Sequence, residues 1–205
     1  MSQRNAAALA GVAALSALGY AVVSSRVYEG KTKKRDARAK RRIKKLRTEA
    51  LRRAAELSGP LGKWYGHVPV ALLVSGWLRK RQRRAAAATV TLSSTSALAL
   101  SHLLERAMKR RSPPPERGEP AEPSYPSNHA LESAAVALVS SYVLVRERLA
   151  SPWIVAPLGA TALASGLGRL LLDRHWASDS TGGYFAGTTL AAACASLYEL
   201  GRDDG

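Results

Sequence analysis

His175 and Asp179 stand four residues apart in the stretch RLLLDRHWASD, residues 169–179, a spacing that brings two side chains together on one helical turn. A neutral imidazole can attack phosphorus when a carboxylate holds its other ring nitrogen in the right tautomer. Arg169 opens the same stretch, and a guanidinium offers phosphate oxygens planar, bidentate contact. A second imidazole, His129 in YPSNH, has the chemistry of a general acid that protonates a departing alkoxide. Ser127 and Asn128 precede it at a helix start, where backbone N–H groups favour anions. Taken singly, each residue has a plainer role: an interfacial histidine, a helix-capping aspartate or a snorkelling arginine. Their joint occurrence is a set for phosphate chemistry.

These residues must be positioned by apolar elements. The chain has 205 residues, a net charge of +16 and 46% hydrophobic residues, so it is either a basic soluble protein or a membrane protein with basic loops. The distribution decides for the second. Apolar stretches recur at 5–25, 64–78, 85–104, 133–145, 149–168 and 180–198, several near the roughly 20 residues that span a bilayer as a helix. The expected fold is all-α: a six-transmembrane-helix bundle with a basic amphipathic interfacial helix between the first and second spans. The segments 64–78 and 133–145 reach span length only by borrowing neighbours. With six spans, the loops after the third and fifth leave on one face, so His129 and His175 can meet. The first segment has only Arg4 as a basic residue ahead of its apolar run, which favours a retained helix over a cleaved signal peptide. The single cysteine, Cys194, lies in the last apolar segment and reads as a packing residue without metal-ligand spacing.

Four units follow: a first transmembrane helix (1–25), a basic arm (26–57), a helical core (58–200) and a polar tail (201–205). About half of residues 26–53 are Lys or Arg. Ile43, Leu46, Ala50, Ala54 and Leu57 recur at helical spacing and make a narrow apolar stripe, as in a helix lying among headgroups. Anionic lipid headgroups are the expected partner, at about 1 kcal/mol per basic residue near the surface. Nucleic acid ranks second and is not expected, because no aromatic residues interleave the charges to stack on bases. The loop 109–129 is rich in proline, which forbids helix, and its length points to a working role. The pair Gly182–Gly183 predicts close helix approach near the site. His67 and His102 receive no role.

The residues already quoted resemble the type 2 phosphatidic acid phosphatase superfamily, whose fold is shared with vanadium haloperoxidases. Its second signature, Pro-Ser-Gly-His, is matched by Pro126-Ser127-Asn128-His129. Its third, Ser-Arg, five residues, His, three residues, Asp, is matched by Gly168-Arg169, His175 and Asp179. The resemblance implies a catalytic set of His175 as nucleophile, Asp179 as its orienting partner and His129 as general acid, with Arg169, Ser127 and Asn128 at the phosphate. The first signature, Lys, six residues, Arg-Pro, departs here: Glu105 and Ser112 precede Pro113 at those places. Arg106, Lys109 and Arg111 stand close by as substitutes, with Arg110 and Arg117. By resemblance the chain is an integral membrane lipid phosphatase that acts through a phosphohistidine. It would hydrolyse a phosphomonoester or pyrophosphate of a polyprenyl or glycerolipid, such as a decaprenylphosphoryl-phosphoribose, with no metal and no cofactor. The alternative is a catalytically degenerate lipid-phosphate-binding membrane scaffold, which Glu105 and Ser112 favour. The Ala- and Arg-rich composition points to a bacterial cytoplasmic membrane. With six spans, the positive-inside rule turns the site toward the cytoplasm, because the basic arm shares its face.

Overall fold

The computed structural model describes residues 2–114 and 123–202. Among them are eight α-helices: α1 (Ser2–Tyr28), α2 (Lys33–Leu46), α3 (Glu49–Ser58), α4 (Trp64–Lys80), α5 (Arg84–Ala107), α6 (Asn128–Arg146), α7 (Val155–Leu171) and α8 (Ala177–Leu200). Short 3-10 turns at Gly59–Gly62 and Pro152–Ile154 lead into α4 and α7. Five of the six apolar stretches of the sequence are helical throughout, and the stretch 149–168 becomes helical from Pro152. Three helical segments, Ser2–Tyr28, Arg84–Ala107 and Pro152–Leu171, are long and apolar enough to cross a membrane, which makes the protein multi-pass. The remaining candidates, α4, α6 and α8, are not set apart in this way. Both α6 and α8 are rich in Ala and Ser, with glycines added in α8, and are largely buried by their neighbours.

That composition follows from the medium. Helices in lipid gain little from hiding apolar surface from one another, so they associate through close packing of small residues. Val136, Val139 and Val143 of α6 meet Ala191, Cys194 and Tyr198 of α8, with Leu78, Ala87 and Val90 from α4 and α5 completing the cluster. A second cluster nearer the site joins Leu131 and Ala135 to Ala97 and Ala186. The approach is especially close at Gly183. A Cβ there would lie 2.5 Å from the carbonyl oxygen of Ser127 and 2.9 Å from the Ala130 Cβ, so only glycine lets α8 seat against the first turn of α6. Helix α1 runs along α8, and Ser196 Oγ donates to the Ala6 carbonyl at 2.9 Å.

At one end of the bundle, ion pairs tie the helices together: Arg146 Nε meets Glu199 Oε1 at 2.8 Å, and Arg202 and Arg83 meet Glu147 at 2.5 and 3.2 Å. The other end gathers the C-termini of α5 and α7 with the N-termini of α4, α6 and α8, and there the chemistry-bearing residues collect.

The basic arm is two helices. Thr48 is extended and caps α3, its hydroxyl accepting from Leu51 N–H at 3.2 Å, which satisfies a donor that a continuous helix would have bonded internally. The predicted stripe stays off the bundle: Leu46 and Leu57 are 68% and 79% exposed. The arm docks in two ways, by packing of the buried Ala55 and of Ser58 against Gly168 of α7, and by charge. Arg47 and Lys40 reach Asp173 at 2.8 and 3.5 Å. Asp36 is buried at the start of α8, where it accepts from the Ser178 N–H (3.0 Å) and Oγ (2.7 Å).

Candidate active site

Helix α7 ends on a turn that delivers two side chains at once. Asp173 adopts a left-handed conformation with φ of 55°, which aspartate tolerates better than most residues. The Arg169 carbonyl accepts from the backbone N–H groups of Arg174 and His175. Asp173 is fastened from outside by the arm. The turn so fixed presents Arg174 and His175 to a cavity of about 300 Å³. Helix α8 begins immediately after, with Asp179 Oδ2 accepting from the Trp176 N–H at 2.7 Å, a carboxylate in the first turn where it both caps and meets the helix dipole.

The His175 ring is 9% exposed. Its Nδ1 lies 2.9 Å from the Ser124 carbonyl oxygen and 3.8 Å from Asp179 Oδ2. A carbonyl only accepts, so Nδ1 carries the hydrogen and Nε2 keeps its lone pair. The ring is therefore oriented by Ser124, with Asp179 as the nearby negative charge rather than the direct hydrogen-bond partner. Both Asp179 oxygens are already committed: Oδ2 to the Trp176 N–H and Oδ1 to Arg110 at 2.5 Å. Arg110 also meets Asp36 at 2.7 Å, so one guanidinium bridges the arm to the start of α8.

His129 is 7% exposed and stands at the start of α6, its ring centroid 6.3 Å from that of His175. One phosphoryl group can touch both rings. Its Nε2 is buried with no hydrogen-bond partner among the described residues, an arrangement that costs free energy until a ligand supplies a partner. Ser127 caps the helix, accepting from the Ala130 N–H at 3.4 Å, and its own N–H donates to the Asp179 carbonyl at 3.0 Å. The serine thus joins the two signature segments. Tyr125, just ahead, bonds Ser24 of α1 at 2.7 Å and stacks on Tyr20; burial pushes its phenol up, and it holds this loop as a neutral group.

The cavity brings together His129, His175, Arg169 and Asn128, as the spacing predicts, and adds residues that the spacing does not reveal. Lys63 and Arg174 line it beside Arg169. Lys63 gets there because the 3-10 turn before it lies against His129; a Cβ on Gly62 would stand 2.8 Å from the His129 Cβ. Glu132, one turn along α6 from His129, also lines the cavity. Its carboxylate is held by His67 Nε2 at 2.6 Å and Ser101 Oγ at 2.5 Å. Glu105 faces the same space and accepts from Asn128 Nδ2 at 3.0 Å. Arg106, Lys109 and Arg111 do not line this cavity. They line an adjoining, larger one of about 630 Å³. Ser112 lies outside both linings. Arg117 lies outside the described residues, as do positions 115–122 of the proline-rich loop and 203–205 of the polar tail.

A multi-pass helical membrane protein with a facing pair of histidines, His129 and His175, and three cations around one cavity is the class that fold and site define. The chain belongs to the PAP2 superfamily, whose family model matches residues 87–202 and so spans α5 through α8. Among solved structures it is similar to the first transmembrane PAP2-type phosphatidylglycerolphosphate phosphatase from Bacillus subtilis. The two share 19% sequence identity and a TM-score of 0.84, over 95% of this chain and 99% of that one. At that identity the likeness establishes the transmembrane PAP2 fold. No curated protein matches the sequence.

Proposed function

We propose that this protein is a membrane lipid phosphatase that hydrolyses a lipid phosphomonoester through a phosphohistidine at His175. The observation that carries the reading is the pair of imidazoles across one cation-lined cavity, His175 with its Nδ1 on the Ser124 carbonyl and His129 with a buried, partnerless Nε2 among the described residues. Membership of the PAP2 superfamily supports a hydrolase of this kind.

In the first step the Nε2 lone pair of His175 attacks phosphorus and the P–O ester bond breaks. The departing alkoxide takes a proton from His129 and leaves as the lipid alcohol. The Asp179 carboxylate, 3.8 Å away, stabilises the positive charge that develops on the ring. Water then attacks the phosphoryl group with His129 as base, the P–N bond breaks, and inorganic phosphate leaves with His175 restored. Arg169, Lys63 and Arg174 supply the positive charge that the transferring phosphoryl group requires. Lys63 and Arg174 take the place of the two basic residues that the first signature lacks. Each electrostatic donor of this type is worth about 3 kcal/mol in the transition state. Lys63→Ala and Arg174→Ala are each expected to lower kcat/KM by about a hundredfold to a thousandfold, read by steady-state phosphate release.

These groups carry the reaction without a metal, so turnover is expected to persist in EDTA. Purified, detergent-solubilised protein should release phosphate from some member of a panel of polyprenyl and glycerolipid phosphates under those conditions. Binding without release on the whole panel would instead support a lipid-phosphate-binding scaffold, the reading favoured by a carboxylate, Glu105, inside the cavity.

The arm lies at the same end of the bundle as the cavity. Its exposed Leu46 and Leu57 between lysines and arginines suit a seat among anionic lipid headgroups rather than nucleic acid. The same concentration of charge turns this end toward the cytoplasm of a bacterial inner membrane. Because the native cysteine, Cys194, is buried, a Lys34→Cys protein reports the face cleanly. A membrane-impermeant thiol reagent should label it only after cells are lysed; labelling of intact cells reverses the orientation.

A further inference from the structure

Asp36 is the only carboxylate between Glu29 and Glu49, in a stretch dense with lysine and arginine, yet it is buried. All its side-chain contacts go to one place, the first turn of α8 and the arginine beside it. Oδ1 accepts from the Ser178 N–H at 3.0 Å, and Oδ2 accepts from the Ser178 hydroxyl and from Arg110 Nη2, each at 2.7 Å. Arg110 Nη1 donates in turn to Ser178 Oγ at 2.7 Å and to Asp179 Oδ1 at 2.5 Å. Its guanidinium lies over the Trp176 ring, 5.7 Å from the centroid. Docking of the arm has other sources: Ala55 and Ser58 pack on Gly168, and Arg47 and Lys40 hold Asp173.

One guanidinium here serves two carboxylates. Arg110 bonded to Asp179 alone would make a neutral pair behind His175. With Asp36 present, two carboxylates stand against one guanidinium, and the cluster keeps a net negative charge. Asp179 Oδ2 brings that charge to 3.8 Å from the ring. The cavity wall on the other side holds Lys63, Arg169 and Arg174 against Glu105 and Glu132. Cations that bind a phosphoryl group oppose positive charge on the ring that attacks it, and such interactions are strong where water is excluded. The placement of Asp179 depends on the same contacts. Asp36 on the Ser178 N–H and Asp179 on the Trp176 N–H satisfy one helix end together, so the turn that carries Asp179 is fixed from within and from the arm.

We propose that Asp36 is a positioning residue of the active site: it neutralises Arg110 and fixes the first turn of α8, and so leaves Asp179 free to stabilise the positive charge that forms on His175. The basic arm then belongs to the catalytic unit, although no signature residue lies in it. The inference rests on the phosphatase reading, in which His175 attacks phosphorus. Loss of the Asp36 charge leaves Arg110 bound to Asp179 alone. Loss of the Arg110 charge as well returns the Asp179 carboxylate to His175.

The test compares the wild type, Asp36→Asn, Arg110→Gln and the double variant, each as the full chain in detergent. Steady-state phosphate release is measured on dioleoyl phosphatidic acid and on farnesyl phosphate. Asparagine keeps an acceptor for the Ser178 N–H and glutamine keeps a donor, so each change removes a charge with little loss of volume. Asp36→Asn is expected to lower kcat by about thirtyfold with KM within about twofold, and Arg110→Gln to lower it by less than about fivefold. The double variant should be at least about fivefold more active than Asp36→Asn, a rescue that shows the two charges to be coupled. A contact that only docks the arm would not be rescued by the loss of a second ion pair. Binding of orthovanadate, which takes a fifth ligand as a transferring phosphoryl group does, is measured beside binding of inorganic phosphate, so part of the result is independent of turnover. Asp36→Asn should weaken vanadate by about tenfold and phosphate by about twofold at most, and the double variant should regain vanadate. Unchanged kcat in Asp36→Asn, a loss confined to KM, or equal weakening of the two anions overturns the proposal. So does a double variant no more active than Asp36→Asn, with melting temperatures falling alongside activity, which would make Asp36 a docking contact. No release from either lipid by the wild type, with the vanadate pattern intact, would count against the hydrolytic reading and leave the role of Asp36 standing.

Discussion

His175→Asn is expected to lower phosphate release by a thousandfold or more while leaving the melting temperature of the protein nearly unchanged. The asparagine amide can still donate toward the Ser124 carbonyl that now receives Nδ1 at 2.9 Å, so the turn between α7 and α8 keeps its tie. What disappears is the lone pair of Nε2 on the cavity side. Removal of a nucleophile from a set that acts as a unit costs far more than removal of one binding group. The effect should therefore fall on kcat, with binding of the lipid phosphate largely retained through Arg169, Lys63 and Arg174. Steady-state release and equilibrium binding on the same preparation separate the two quantities. A loss confined to KM would make His175 a binding residue.

Gly183→Val is expected to be the most damaging substitution outside the cavity. The glycine faces the Ser127 carbonyl and the Ala130 Cβ at distances that no side chain can occupy. Neither neighbour can retreat cheaply, since Ser127 caps α6 and its N–H is bonded to the Asp179 carbonyl. Overpacking in a close-packed interior costs about 1–3 kcal/mol, and backbone neighbours place this site at the upper end. Separation of α8 from α6 would also pull His129 and His175 apart, so activity should fall along with stability. Thermal unfolding in detergent, measured beside Gly183→Ala, should show a graded loss. Unchanged stability in both would mean that the helices do not pack as described.

Much of this arrangement is legible in the sequence because it is periodic or locally spaced. Six apolar stretches announce six helices, and the pair at 182–183 announces a close approach. His175 and Asp179 are four residues apart, and Arg169 opens the same short stretch. The remainder depends on contacts that no local spacing encodes. Lys63 reaches the His129 side of the cavity only because Gly62 permits the approach of two segments far apart in the chain. Arg174 carries no signal beyond its place next to His175. Its direction is set by the left-handed turn at Asp173, which is itself held by the arm. The pairing of His67 with Glu132 joins α4 to α6 across 65 residues, and neither residue has a neighbour in sequence that hints at the other.

The basic arm shows the same division. Its apolar stripe is visible as periodicity, but the break at Thr48 and the docking through Asp36 are not. A lone aspartate among lysines and arginines reads as a minor charge, whereas in the fold it is buried against Ser178 and Arg110. Arg106, Lys109 and Arg111 look like neighbours of the histidines because the first signature belongs there. The chain after α5 instead carries them into the adjoining groove and leaves Glu105 at the border.

The most direct test of the central claim is a rapid acid- or base-quench experiment on the purified protein with a lipid phosphomonoester labelled in its phosphate. The expected result is a phosphoryl group bound to the protein that is stable in base, labile in acid, mapped to His175 by peptide sequencing and absent from the His175→Asn protein. Release of labelled phosphate at full rate from the His175→Asn protein, or a label on a different residue, would contradict it.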